Sequence, residues 1–385
     1  MREGWEYKKL GEVCTIKAGY TPQKNELSDN GAYPYYKVAD MNTPGNDVYL
    51  DITSSYKIDA NKLFPKGAIV FPKNGAAVST NKKRILKYDS IVDLNTGVAI
   101  FPKSINEKFA YYWFIDTDFK KYVRGGALPT LDIKSLKDKP FPSIDKSIQL
   151  AIVSELDKIN ELIRLKKEQL KDFDNLAQSL FYEMFGDPVE NEKGWEVKTL
   201  GDVCTDITDG DHMPPPKSEY GIPFITISDI DKESRSLNFE NTYYVPIDYY
   251  NKLKENRKAR IGDLLYTVTG SYGIPVIVKT DKQFCFQRHI ALLRPNIEIL
   301  STIFLYYWML NDGVKFMADK VAKGIAQKTV GLNSIRKFSC ILPPLPLQHL
   351  FAHRIDQIEH QKAEVQKAIA DLETLLASRM QYWFE

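Results

Sequence analysis

The sequence predicts an α+β protein in which one arrangement is written twice: a mixed α/β domain followed by a long helix, then both again. Three observations predict it. Short motifs recur in the same order about half a chain apart. Two segments carry unbroken apolar spacing of alternating three and four residues. Between these segments, strand-type runs and aromatic helices alternate with turn signals.

The repeat begins at the N-terminus. Gly4-Trp5-Glu6, Lys8, Leu10-Gly11 and Val13-Cys14-Thr15 return 190 positions later as Gly194-Trp195-Glu196, Lys198, Leu200-Gly201 and Val203-Cys204-Thr205. Tyr111-Tyr112-Trp113 returns as Tyr306-Tyr307-Trp308 at an offset of 195, and Thr130, Ser135 and Gln149 return as Thr329, Ser334 and Gln348 at 199. Order is kept throughout, and the drift in offset marks small insertions in the second copy. Solenoids repeat every ~20–50 residues, so a period this long is a duplicated domain.

Within each copy, Ala68–Phe71 and Leu264–Val268 are β-type runs bounded by turn residues. Phe109–Tyr122 and Thr302–Lys315 read as amphipathic, aromatic-rich helices. Pro140-Phe141-Pro142 and Pro343-Pro344 then interrupt the pattern. Beyond each proline cluster the spacing is helical. The first seam runs Ile152, Leu156, Ile159, Ile163, Lys166, Leu170, Phe173, Ala177, Leu180, Met184; the second runs Phe351, Ile355, Ile358, Lys362, Val365, Ile369, Leu372, Leu376, Arg379, Trp383. Such spacing is the mark of a coiled coil, and helices of about 33 residues would each span roughly 50 Å. One such helix must bury its stripe against something, and two related helices in one chain can pair with each other. A lysine sits in each seam, Lys166 and Lys362, either to fix register or with its stem snorkelling to the surface.

The 385 residues suggest two or three domains. With 26% charged and 43% hydrophobic residues the chain is globular. No stretch reaches the ~18 apolar residues of a membrane span, and the polar start lacks a secretory signal. Cys14, Cys204, Cys285 and Cys340 are far apart, which argues against disulfides or a zinc knuckle and fits a cytoplasmic protein. Cys14 and Cys204 occupy matching apolar runs and read as core. The net charge is only +2, but basic residues cluster at Lys82, Lys83, Arg84 and Lys87; at Lys120, Lys121 and Arg124; at Lys252, Lys254, Arg257, Lys258 and Arg260; and at Lys320, Lys323 and Lys328.

Catalytic signatures are missing. Met213–Pro216 and Leu342–Leu345 lack the flanks of an amino-methyltransferase motif, Gly270–Gly273 lacks the spacing of a phosphate loop, and no GxxxxGK[ST] occurs. His349, His353 and His360 lie at helical spacing and read as solvated helix surface rather than metal ligands. The sequence therefore predicts no catalytic residue, no metal and no cofactor in this chain.

The Gly-Trp-Glu-x-x-x-Leu-Gly-(Asp/Glu)-Val opening, the variable α/β region, the proline boundary and the long helix, all occurring twice, resemble over the whole chain the specificity subunit of Type I restriction–modification enzymes. The resemblance implies target-recognition domains at 1–143 and 186–342 and helical spacers at 144–185 and 343–385. It implies two antiparallel coiled-coil helices separating domains related by a pseudo-twofold axis. Each domain would read half of a bipartite, asymmetric site on double-stranded DNA. Two methyltransferase subunits, carrying S-adenosylmethionine and methylating adenine N6, and restriction subunits using ATP and Mg would be the partners. Two other readings remain: a specificity subunit serving a fused methyltransferase–nuclease, and a non-enzymatic coiled-coil adaptor. Under the first reading, DNA contacts are expected from loop residues beside the basic clusters: Thr21, Lys24, Lys73, Asn74, Lys82, Lys83, Arg84, Lys121 and Arg124 in the first domain, and His212, Lys217, Ser271, Tyr272, Arg288, Lys323, Gln327 and Lys328 in the second. Gly125–Ala127 and Gly324–Ala326 precede the repeated threonine, where glycine suits either a simple turn or a close approach to DNA.

Overall fold

A strand with both faces covered must be apolar at every position, which is why the run around Phe71 does not alternate. In the computed structural model it forms the buried strand Ile69–Pro72, central in a five-stranded sheet ordered Thr15–Ala18, Thr96–Ile100, Ile69–Pro72, Arg84–Leu86, Tyr49–Leu50. The structure describes residues 2–57, 62–125, 128–210, 212, 216–324 and 328–385. The chain forms two compact units, Met1–Lys167 with Gln366–Glu385, and Glu168–Val365.

The first unit adds a three-stranded sheet, Tyr56–Lys57, Tyr33–Tyr36, Ile91–Val92. Its opening strand Glu6–Lys9 lies antiparallel to Pro140–Ser143, with Tyr7 opposite Pro142. Prolines are tolerated there because the pair has only two strands and each keeps a free edge. The second unit repeats the plan. Its main sheet is ordered Cys204–Asp209, Ile290–Pro295, Leu264–Thr267, Pro275–Ile277; its smaller sheet is Tyr243–Val245, Ile222–Ile225, Cys285–Phe286; and Glu196–Thr199 pairs with Ser339–Leu342.

The aromatic segments are shorter as helices than their composition suggests. Glu107–Asp116 is helical under an Asn106 cap, and Phe119–Tyr122 is a separate 3-10 turn capped by Asp118. The expected helix from Thr302 to Lys315 is two helices, Thr302–Met309 and Asp312–Val321, because the Asn311 side chain accepts from the Gly313 N–H and starts the second. Trp113 and Trp308 are fully buried in their respective cores. Tyr112 donates to Asp157 Oδ1 of the first long helix at 2.6 Å, and Tyr307 meets Phe351 of the second edge-on at 5.3 Å.

The long helices, Lys146–Phe185 and Leu345–Phe384, have 40 residues each. They exceed the apolar seam because each begins about a turn earlier, anchored by a buried glutamine, Gln149 or Gln348. In the first unit Ile152 and Leu156 share a core with Met380 and Phe384. There Glu155 takes the Arg379 guanidinium, and Lys167 meets Glu373 at 2.8 Å, so numbers rise on one helix as they fall on the other. In the second unit Phe181 and Phe185 pack on Phe351 at 5.7 and 5.3 Å, and Lys362 pairs with Asp174 at 2.7 Å. The helices are antiparallel in each unit. Ile152, Leu156, Ile159, Ile163, Ile355, Ile358, Val365 and Ile369 are buried, while Leu170, Phe173, Leu180, Leu372 and Leu376 are half-buried. Phe181, Phe185 and Phe384 lie outside the strict seam and are buried as well, because the helix ends pack on domain cores as well as on each other. Among the described residues, no helix is long and apolar enough to cross a membrane.

Candidate nucleic-acid interface

The main sheet of each unit ends in a set of loops tied together by the same backbone hydrogen bonds. In the first unit Lys73 N–H donates to the Asn95 carbonyl at 2.8 Å, Gly75 N–H to the Pro129 carbonyl at 2.8 Å, and Leu131 N–H to the Lys73 carbonyl at 2.8 Å. In the second, Val268 N–H donates to His289 at 2.9 Å, Gly270 N–H to Lys328 at 3.0 Å, and Val330 N–H to Val268 at 2.8 Å. The loop after the central strand is therefore held between the loop before the last strand and the loop carrying the repeated threonine.

A fourth loop joins them after the first strand, and glycine is required there. A Cβ on Gly19 would lie 2.1 Å from the Asp93 carbonyl oxygen, and one on Gly210 would lie 1.9 Å from that of Phe286. Removing the side chain lets Thr21 and His212 follow at matching places. Thr21 Oγ1 accepts from Leu94 N–H at 3.3 Å, and His212 Nε2 sits 2.9 Å from Asp209 Oδ2, with Arg257 on the other carboxylate oxygen at 3.5 Å.

Most of the expected contact residues fall on these loops or beside them. Thr21, Arg124, His212, Ser271, Arg288, Lys323 and Lys328 are exposed, and Lys73 and Asn74 are half-buried by the backbone bonds that frame the cluster. Arg124 pairs with Asp132, whose carboxyl is held below the usual range by the Ser135 hydroxyl, backbone N–H groups and that guanidinium. Ser271 Oγ accepts from Lys232 at 3.1 Å, and the Tyr272 hydroxyl donates to Asp319 at 2.7 Å. Lys24 and Lys121 are exposed on 3-10 turns, and Lys217 lies 4.9 Å from the Tyr243 ring centre. Gln327, and with it Gly126, Ala127, Ile325 and Ala326, lies outside the described residues.

Within the Lys82–Arg84 cluster, Lys83 departs from the expected surface position. Lys83 is fully buried: its ammonium lies 4.1 Å from the Phe119 ring centre and donates to Asn81 Oδ1 at 2.6 Å and the Thr117 carbonyl at 2.7 Å. Burial pulls its pKa down to about 7, against the opposing pull of Asp118. It ties two turns together and is not placed to meet a phosphate. Arg84 is likewise committed, donating to the carbonyls of Met41, Asn46 and Lys83, and Lys82 donates to Asn42. The sequence offers no way to tell this buried lysine from its half-buried neighbours, since all belong to one basic run.

Leu94, Asn95 and His289 belong to this loop cluster although sequence reasoning does not single them out. Leu94 lies in no basic cluster, yet it is 52% exposed at a loop tip. The signal that could have found these positions is the Gly19–Gly210 pair, repeated at an offset of 191 and placed just before the loops that must pack against them. Among the described residues, no group of three or more His, Cys, Asp or Glu side chains is placed to hold a metal.

Comparison with known proteins agrees with this duplication. The model of the Type I restriction modification DNA specificity domain matches residues 2–172 and again 192–374. The chain is 23% identical over 416 residues to the Type I restriction enzyme MjaIX specificity subunit of Methanocaldococcus jannaschii, spanning 96% of this chain and 90% of that one. It is 26% identical over 149 residues to the EcoBI specificity subunit of Escherichia coli, 39% of this chain and 31% of that one. In fold it is similar, at a TM-score of 0.65 and 20% identity, to a chain solved in work on complex assembly and conformational transition of the type I R-M system, covering 100% of this chain and 98% of that one. It is also similar, at 0.50 and 14% identity over the same shares, to the S subunit from M. genitalium. With the domain model matching twice and most of the chain covered, the protein belongs to the Type I restriction–modification DNA specificity family and is a specificity subunit with two target-recognition domains.

Proposed function

We propose that each unit reads one half of a bipartite, asymmetric DNA site, and that the chain itself performs no catalysis. The observation that carries this reading is the loop frame: the same backbone bonds recur in both units while the side chains they present differ. A shared frame means a shared mode of docking, and different side chains mean different base sequences. Exposed lysines such as Lys323 and Lys328 would position the duplex through phosphates. Residues 1–143 and 186–342 are the readers in this scheme.

The chemistry would come from partners: adenine-N6 methylation from two methyltransferase subunits binding S-adenosylmethionine, and cleavage from restriction subunits using ATP and Mg. An open groove of about 530 Å³ in the first unit, lined by Ser154, Glu155, Lys158, Ile159, Leu375 and Arg379, supports a docking role for the helices. So do Leu162 and Leu165, about half exposed although the seam on the same helix is already packed. The test is to purify the chain alone and with its modification subunits. The chain alone should shift target DNA in a gel without methylating it, and the complex should methylate an adenine in each half of a two-part motif. Turnover by partner-free chain, or methylation at an uninterrupted motif, would overturn the reading.

A further inference from the structure

The loop before the last sheet strand offers the same backbone position in both units. Asp93 N–H donates to Tyr36 and Asn95 C=O accepts from Lys73; Gln287 N–H donates to Ile225 and His289 C=O accepts from Val268. Leu94 and Arg288 are therefore equivalent, each between two anchored neighbours, and each is exposed. Their chemistries are opposite. A leucine held in water at the tip of a polar loop contributes nothing to its own core. An arginine there carries a planar fork.

We propose that this position determines base specificity in each half-site, Leu94 by apolar contact with a thymine methyl and Arg288 by a bidentate contact to guanine. The proposal rests on the reading that each unit docks a half-site. Arg288 Nε donates to His289 Nε2 at 3.3 Å, and among the described residues its terminal nitrogens have no protein partner. Burial and then the guanidinium beside it hold the His289 pKa below the usual value, so the ring is neutral at pH 7 and accepts that bond. The guanidinium is thus steered from its inner edge while both outer nitrogens remain available, the arrangement that reads the O6 and N7 edge of guanine in the major groove. A leucine side chain makes no hydrogen bond to any base, and the thymine methyl is the apolar feature of that groove.

The experiment uses the full subunit in complex with its modification subunits, with methylated adenines mapped genome-wide by single-molecule sequencing. Wild type, Arg288→Leu, Arg288→Lys and Leu94→Ala are compared. Arg288→Leu should relax one guanine in one half-site by roughly 5- to 100-fold and leave the other half unchanged. Arg288→Lys should relax the same position, because it keeps charge but loses the fork. Leu94→Ala should relax one thymine in the opposite half. Uniformly lower methylation with an unchanged motif, or full rescue by lysine, would make Arg288 a phosphate contact and overturn the proposal. A wild-type complex that yields no two-part motif would instead overturn the underlying reading, and the proposal with it. Both positions are exposed, and equal thermal unfolding of the variants checks that the fold is unaffected.

Discussion

Gln149 and Gln348, 199 residues apart, make the same three hydrogen bonds in their respective units. Gln149 Oε1 accepts from Asn106 N–H at 2.7 Å, and its Nε2 donates to the Ile144 and Ser104 carbonyls at 2.9 and 3.3 Å. Gln348 Oε1 accepts from Ser301 N–H at 2.8 Å, and its Nε2 donates to the Pro343 and Ile299 carbonyls at 2.8 and 3.1 Å. Each amide fastens the start of a long helix to the start of an aromatic helix, in a place sealed from water.

Replacing either glutamine by alanine leaves three backbone groups without partners. Gln149→Ala and Gln348→Ala should each cost about 2–4 kcal/mol in urea unfolding. A loss within ~0.5 kcal/mol would mean that water replaces the amide.

Lys83 makes the stability depend on pH. Its pKa is about 7 when folded and near 10.4 in an unfolded chain. Between these values the unfolded chain binds more protons, so stability rises with pH across that window, by up to about 1.4 kcal/mol per unit. Lys83→Met should remove this rise in chemical unfolding measured from pH 7 to 10. It should leave the salt dependence of DNA binding unchanged, whereas Lys328→Ala should reduce the log–log slope by roughly 0.9 for one phosphate contact.

The repeat and the seam were legible because duplication preserves order and because a packed helix must keep its period. Less local features were not. That Glu6–Lys9 pairs with Pro140–Ser143 depends on closure of a domain, and neither strand announces its partner. Phe181 and Phe185 depart from the heptad because the helix end meets Phe304 as well as Phe351. Among the loop residues, basic runs are marked by their charge, whereas Leu94 is a single apolar residue in a polar loop and its exposure becomes visible only in the fold.

The seam is tested by one buried charge in each unit. Ile159→Asp and Ile358→Asp place a carboxylate at positions that are each only 7% exposed, and each should cost several kcal/mol in thermal or urea unfolding. Unchanged stability in both would contradict a packed seam.

Gly19→Ala and Gly210→Ala force a Cβ into a carbonyl oxygen, so the loops before the last strands must move. Each variant should weaken DNA binding at least tenfold in a fluorescence titration, with methylation lost as affinity falls. Wild-type affinity in both would show that these loops do not contact DNA.

The most direct measurement exchanges residues 186–342 for the corresponding domain of a relative and maps methylated adenines in cells that also carry the modification subunits. With one reader per unit, one half of the motif changes while the other half keeps its sequence. If both halves change together, recognition belongs to the whole assembly and the two-reader scheme is wrong.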